Sequence, residues 1–208
     1  DEQHVTRGRA NSLRLALSGQ LGPDALVSDD MKATMDLCVG CKGCRRECPT
    51  GIDMAKMKLE VQAQRRQRHG LSLREWLVAH LPAYAPSAAM IAPLMNLRDT
   101  VPGLAILSEK IAGFSARRSL PRWTRDALRD NEAAAAKPEV LLLADCFNRY
   151  FEPGIARSAL RVLERAGKQV AIAAAPQQWP LCCGRTYLAA GLVDRARAEA
   201  QRLIAAVK

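Results

Sequence analysis

Four of the seven cysteines in this 208-residue chain lie within the run LCVGCKGCRRECPTG, as Cys38, Cys41, Cys44 and Cys48. Cys-x2-Cys-x2-Cys wraps a short loop so that three thiolates can face three corners of one compact inorganic core. With a fourth cysteine before proline, as Cys48-Pro49 provides, this is the ligand run of a [4Fe-4S] cluster. Gly40 and Gly43 precede Cys41 and Cys44, where a tight loop needs backbone angles that side chains resist. Zinc fits less well, because structural zinc sites divide their ligands into two pairs on separate turns. A disulfide framework is excluded by an odd cysteine count clustered at two places, which points to a reducing compartment. In two-cluster proteins the cysteine before proline serves the other cluster. Cys48 is therefore expected to serve a neighbouring cluster, leaving Cys38, Cys41 and Cys44 in need of a fourth ligand.

A second group follows far along the chain. Cys146 falls at the end of an apolar run, EVLLLADCF, and Cys182-Cys183 precede Gly184. Ligand crevices in open parallel sheets form at the carboxyl ends of strands, and a helix start near Gly184 would favour thiolates. Adjacent cysteines do not easily pair with each other, yet they could grip two atoms of one cluster. The competing reading is burial of Cys146 as a small core residue beside an incidental pair.

Lys42, Arg45 and Arg46 flank the first group. They either raise the potential of a bound cluster by favouring its more negative reduced form or are simply solvated charges. His4, His69 and His80 show no metal or triad spacing and read as surface or packing residues. No glycine-rich phosphate loop appears, so nucleotide or flavin has no visible seat.

The elements that must hold these residues follow from periodicity. Ala10, Leu13, Ala16 and Leu17 predict a helix over 9–17 ended by Gly19. Ser28 is expected to cap a second helix, with Asp29 and Asp30 at its positive end, running into Cys38. Asp53 is expected to cap a third, with Met54, Met57 and Val61 buried and the basic run Arg65, Arg66, Arg68 and His69 ending at Gly70. The segment from Trp76 to Leu97 has no Asp, Glu, Lys or Arg. Pro82, Pro86 and Pro93 argue against a membrane span there and for short helices over a core. Five arginines between Arg117 and Arg129 form a solvated face or a docking surface for an acidic partner. Ala133–Pro138 reads as a linker. Beyond it, EVLLLADCF, a helix over 155–166 and QVAIAAA predict a βαβ unit with a buried parallel strand pair. A final helix is expected over 186–207 with Leu188, Leu192, Ala196 and Ala200 on one face.

Bulk composition narrows the classes. At 49% hydrophobic the chain can bury a core. Its net charge of +10 and pI near 9.6 suit acidic partners, but 4% aromatic residues leave few rings for stacking bases. Nucleic acid is not an expected partner. The polar start at Asp1 lacks the pattern of a signal peptide, and both ends read as boundaries within a longer protein. A cytoplasmic location, at most peripheral at the inner face of a membrane, is expected.

Taken together, DEQHVTRGRANSLRLALSG, MDLCVGCKGCRRECPTGIDMAKMKLE, ADCFNRYFEP and PLCCGRTYLAAGLVD resemble the carboxyl-terminal iron–sulfur portion of large FAD-linked D-2-hydroxy acid dehydrogenases, of the D-lactate or D-2-hydroxyglutarate type. The likeness is weakest between about His80 and Pro138. It implies a mainly α-helical ferredoxin-like domain over 1–80, a helical or irregular connector over 81–137 and the first part of a smaller α/β CCG-type domain over 138–208, incomplete at both ends. It further implies that Cys38, Cys41, Cys44 and Cys48 match the second ferredoxin motif, that Cys182 and Cys183 match the CCG pair, and that Cys146 matches its upstream cysteine. A first ferredoxin motif is expected before Asp1 and further cysteines beyond Lys208. The implied function is electron transfer from FAD, bound outside this chain in the same polypeptide or complex, through [4Fe-4S] clusters to an acceptor. No catalytic residue is expected in the chain itself. The alternatives are a separate iron–sulfur subunit of a glycolate-oxidase or heterodisulfide-reductase type complex, and a binding module whose metal only holds the fold.

Overall fold

The computed structural model describes residues 2–174 and 180–207. By compactness the chain divides into two units, Asp1–Ser72 with Leu188–Val193, and Leu73–Tyr187 with Asp194–Lys208.

The first unit is helical: α1 (Thr6–Leu17), α2 (Asp29–Asp36), α3 (Gly43–Glu47) and α4 (Met54–His69). α1 begins at Thr6 rather than Arg9. Its added turn is polar, and buried Arg9 ties it down through the His4 carbonyl at 3.2 Å and Thr6 Oγ1 at 3.5 Å. Gly19, at φ +77°, ends the helix as expected. Ser28 Oγ accepts the Met31 N–H at 3.1 Å, and Asp53 accepts the Lys56 N–H at 3.0 Å, so both predicted caps form. Leu13, Met31, Met35, Met54 and Val61 make the core, with Cys38 and Cys44 packed against it. Two stripe residues are not buried: Leu17 is 74% exposed and Met57 38%. Leu17 is the last residue of α1, and the 3.6-residue period alone placed both inside.

The second unit opens with five short helices, α5 (Leu73–Ala79), α6 (Leu81–Met90), α7 (Ala92–Met95), α8 (Leu97–Thr100) and α9 (Leu104–Ala112). Pro82 and Pro93 sit in first turns, where a missing N–H costs nothing, while Pro86 lies inside α6. Among the described residues no helix is long and apolar enough to cross a membrane. The parallel pair β1 (Val140–Leu142) and β2 (Val170–Ile172) follows, in the register Val140↔Val170, with α10 (Cys146–Tyr150) and α11 (Pro153–Arg165) between them. Leu128, Ala133, Ala144, Ala156, Leu160, Val170 and Ile172 form their core.

Two expectations change here. Ala133–Pro138 is not a free linker: Ile172 donates to the Ala133 carbonyl at 2.9 Å and Ala135 to that of Val170 at 3.2 Å, adding an antiparallel edge to β2. Alanines and a lysine hide this pairing because they carry little strand propensity. From the stretch 81–137, Ala85 and Ala89 pack with Tyr150, and Trp123 packs against them with Phe151. The last helix is two, α12 (Arg185–Ala189) and α13 (Val193–Val207). Gly191, at φ +75°, breaks it where a Cβ would fall 2.8 Å from Ala63 Cα. The strand expected over 169–175 is described only to Ala174; Ala175 lies outside the described residues.

Candidate iron–sulfur site

The cysteine loop hangs between α2 and α4, and its path is set by Gly40 at φ +71° and Lys42 at φ +61°. A lysine in the left-handed region is held against its own preference. Asp53 faces it, with its carboxylate 3.6 Å from Lys42 Nζ and 3.9 Å from Arg45 Nη1. The Lys56 N–H, then these two cations, hold the Asp53 carboxyl below its ordinary range.

Each sulfur has its own surroundings. Cys44 is half-buried against the core and its Sγ accepts the Met54 N–H at 3.4 Å, which uses the first free amide of α4. Cys38 is half-buried beside it, and Lys58 Nζ donates to its carbonyl at 2.8 Å. Cys41 is exposed. Cys48 Sγ and Thr50 Oγ1 share a hydrogen bond at 3.1 Å. That bond, with the backbone N–H groups of Ile52 and Thr50, lowers the Cys48 thiol from its usual range. The donor set is all sulfur, supported by amide N–H groups, and its chemistry fits an iron–sulfur cluster. Among the described residues no three His, Cys, Asp or Glu side chains converge closely enough to hold a single metal ion.

Lys42 and Arg45 are thus partly neutralised by Asp53, whereas Arg46 makes no ion pair among the described residues. Sequence reasoning missed Lys58 and Thr50. Lys58 stands one turn after Met54 on the helix that carries the Cys44 amide contact, a spacing that could have revealed it.

In the second unit Asp145 caps α10, taking the N–H groups of Phe147 at 2.8 Å and Asn148 at 3.1 Å, and so fixes Cys146 at the helix start. Cys182 is buried and interacts with Cys146, while Cys183 is exposed. Gly184 donates to Cys182 Sγ at 3.3 Å, and no other residue fits there, since a Cβ would lie 2.7 Å from the Ala196 carbonyl. Interaction with the Cys146 thiol, with the Gly184 N–H, brings Cys182 down to about 7 against the opposing effect of burial. Cys146 is pushed up by the same interaction and by burial.

His80 is more than a surface residue. It stacks on Trp76 at 4.6 Å and meets Tyr187 edge-on at 5.4 Å, with Arg195 Nη1 2.8 Å from its Nε2. Among the described residues it belongs to no group of three or more His, Cys, Asp or Glu that could hold a metal ion.

No family model matches the chain, and no solved structure matches it at a significant level. Among curated proteins it is 26% identical over 156 residues to D-2-hydroxyglutarate dehydrogenase of Escherichia coli (strain K12), covering 68% of this chain and 15% of that one. It is 26% identical over 137 residues to one of the subunits of the anaerobic glycerol-3-phosphate dehydrogenase of the same organism, covering 62% of this chain and 33% of that one. It is 28% identical over 75 residues to the probable glycolate oxidase iron-sulfur subunit of Bacillus subtilis (strain 168), covering 35% and 16%. The aligned part of this chain thus spans a third or less of each of these relatives. They are consistent with the resemblance to the iron–sulfur portion of FAD-linked dehydrogenases.

Proposed function

We propose that the chain is an electron-transfer segment of an FAD-linked dehydrogenase or oxidase, holding [4Fe-4S] clusters and receiving electrons from a flavin bound outside it. The observation that carries this reading is the Cys38, Cys41, Cys44 loop, curled by two left-handed residues and backed by an amide donor on Cys44. Three of its cysteines hold one cluster, Cys48 serves a second, and Cys146, Cys182 and Cys183 contribute to a further site. The substrate is a D-2-hydroxy acid, a choice supported by the name of the D-2-hydroxyglutarate dehydrogenase relative.

A bound cluster supplies one-electron transfer at a potential set by ligation, hydrogen bonds to sulfur, charge and solvent. The chain's own residues supply the settings. Met54 N–H and Thr50 Oγ1 contact sulfurs, burial of Cys38 and Cys44 excludes water on one side, and Lys58 fixes the Cys38 backbone. A separate iron–sulfur subunit is a second reading, favoured by the two relatives named as subunits. Flavin-binding sequence on the same polypeptide would remove it.

Anaerobic iron and sulfide analysis with potentiometric EPR, on the polypeptide or complex that carries this chain, tests the proposal. Iron, labile sulfide and a reducible cluster signal are expected, all reduced by Cys41→Ser. A preparation that is colourless, free of iron and still fully active, or one that holds only zinc, would overturn it.

A further inference from the structure

The second unit carries a surface that the relay does not use. After α9, residues 113–125 form neither helix nor strand, yet α8 and the residue before it hold this loop along its length. The Arg98 side chain, 10% exposed, donates to the carbonyls of Phe114 at 3.2 Å, Ser115 at 2.7 Å and Arg118 at 3.3 Å. Asp99 accepts the Leu120 N–H at 2.9 Å. The Asn96 side-chain amide takes the Trp123 N–H and donates to its carbonyl, both at 2.9 Å. Ordering an irregular segment costs conformational entropy, which these bonds offset.

What the ordered loop displays is charge. Arg117, Arg118, Arg122 and Arg125 are exposed, no Asp or Glu lies between them, and none makes an ion pair among the described residues. Four uncompensated arginines repel one another and leave a field that attracts negative charge. The same loop also supplies apolar wall. Phe114, Leu120 and Pro121 line a recess of about 590 Å³ with Leu94, Leu107 and Ile111. The last three are 61%, 50% and 64% exposed. An exposed apolar patch rimmed by charge marks a contact surface.

The combination selects the occupant. A nucleic acid would meet the arginines with phosphates but leave the apolar recess unfilled. A bilayer suits a continuous apolar face lying flat in its interface, not a recess beneath a charged loop. An amphipathic helix fits both parts, with a row of apolar side chains in the groove and acids against its rim. We propose that α8, α9 and the arginine loop form a docking groove for an acidic amphipathic helix of a partner protein.

The test is a fluorescence-anisotropy titration of the polypeptide that carries this chain. The probe is a labelled peptide of about 18 residues with Leu on one helical face and Glu elsewhere. Saturable binding is expected, weakened about tenfold by Arg117→Glu combined with Arg122→Glu. Both side chains are exposed and unpaired, so this variant should melt like the parent. Leu107→Ser should weaken binding about fivefold through lost apolar contact. It should keep the salt dependence of the parent, which the double arginine variant should flatten. A peptide with Lys in place of Glu should not bind. Absence of saturable binding, equal affinity for the two peptides, or unchanged binding in Leu107→Ser would overturn the proposal. Co-sedimentation with phosphatidylglycerol vesicles that falls in both variants, with no peptide binding, would overturn it in favour of a membrane. Peptide binding should be the same in iron-free protein, so failure of the groove leaves the electron-transfer reading standing, and loss of that reading leaves the groove.

Discussion

The sulfur of Cys182 accepts the Gly184 N–H at 3.3 Å, and the thiol of Cys146 is the neighbour that perturbs it most. The two cysteines stand in the segments that follow β1 and β2, and their ionisation moves in opposite directions, Cys146 raised and Cys182 lowered. Cys146→Ala removes the larger of the two influences that lower Cys182. Its ionisation should move up from about 7 toward the ordinary thiol range near 9. Cys146→Ser retains a donor and should shift it less. Ultraviolet thiolate absorbance against pH in metal-free protein, with Cys183→Ser and Cys41→Ser as background, measures this. An unchanged midpoint in Cys146→Ala would contradict the contact.

Much of the first unit was readable because its signals are local. Ser28, Asp53 and Gly19 act within one turn of the ends they mark, so composition and spacing suffice. What the sequence concealed depends on partners distant along the chain. The pairing of Ala133 and Ala135 with β2 carries no strand-like residues. The break at Gly191 is forced by the backbone of α4 at Ala63, which no pattern within 186–207 can report. The candidate site divides in the same way. Spacing exposed the loop, while the Lys58 contact, the Asp53 pairing of Lys42 and Arg45, and the opposed burial of Cys182 and Cys183 required the fold.

That close approach at Gly191 makes a stability prediction. Gly191→Ala would place a Cβ 2.8 Å from the Ala63 Cα and N atoms and from the Gln62 carbonyl carbon, at φ +75°. Backbone cannot yield as a flexible side chain does. The loss should be about 3 kcal/mol, combining left-handed strain with overpacking. Gly154, inside α11 with open space around its Cβ position, is the control. There alanine should stabilise by about 0.5–1 kcal/mol. Urea midpoints of the two variants should move in opposite directions.

Acid sensitivity should centre on Glu132. Its oxygens meet Arg157 at 2.7 Å and 2.9 Å, and Arg157 also holds Asp126. The Arg157 hydrogen bonds, above all, lower the Glu132 carboxyl to about 2 from 4.5. A depressed carboxyl stabilises fully above the unfolded value and loses that contribution as pH falls through the folded one. The window therefore runs from about 4.5 down to about 2. The shift corresponds to roughly 3 kcal/mol, which solvent screening at this partly exposed pair reduces to about 1 kcal/mol. Glu132→Gln should lower the melting temperature at neutral pH and converge with the parent in acid. Parallel melting curves over the whole range would rule the pair out as a contributor.

Met54 allows scaffold and ligand to be separated. Its side chain is 1% exposed in the first core, while its backbone N–H donates to Cys44 Sγ at 3.4 Å. Met54→Ala should cost about 2–5 kcal/mol through the cavity it leaves, yet the amide donor remains. Iron bound per folded protein should therefore hold near the parent value under conditions where the variant is folded. Cys44→Ser inverts the pattern: the core changes little, but the thiolate is gone and iron should fall. Paired iron analysis and urea unfolding distinguish the two. Equal iron loss in both variants would mean that core packing, rather than the Cys44 sulfur, governs metal retention.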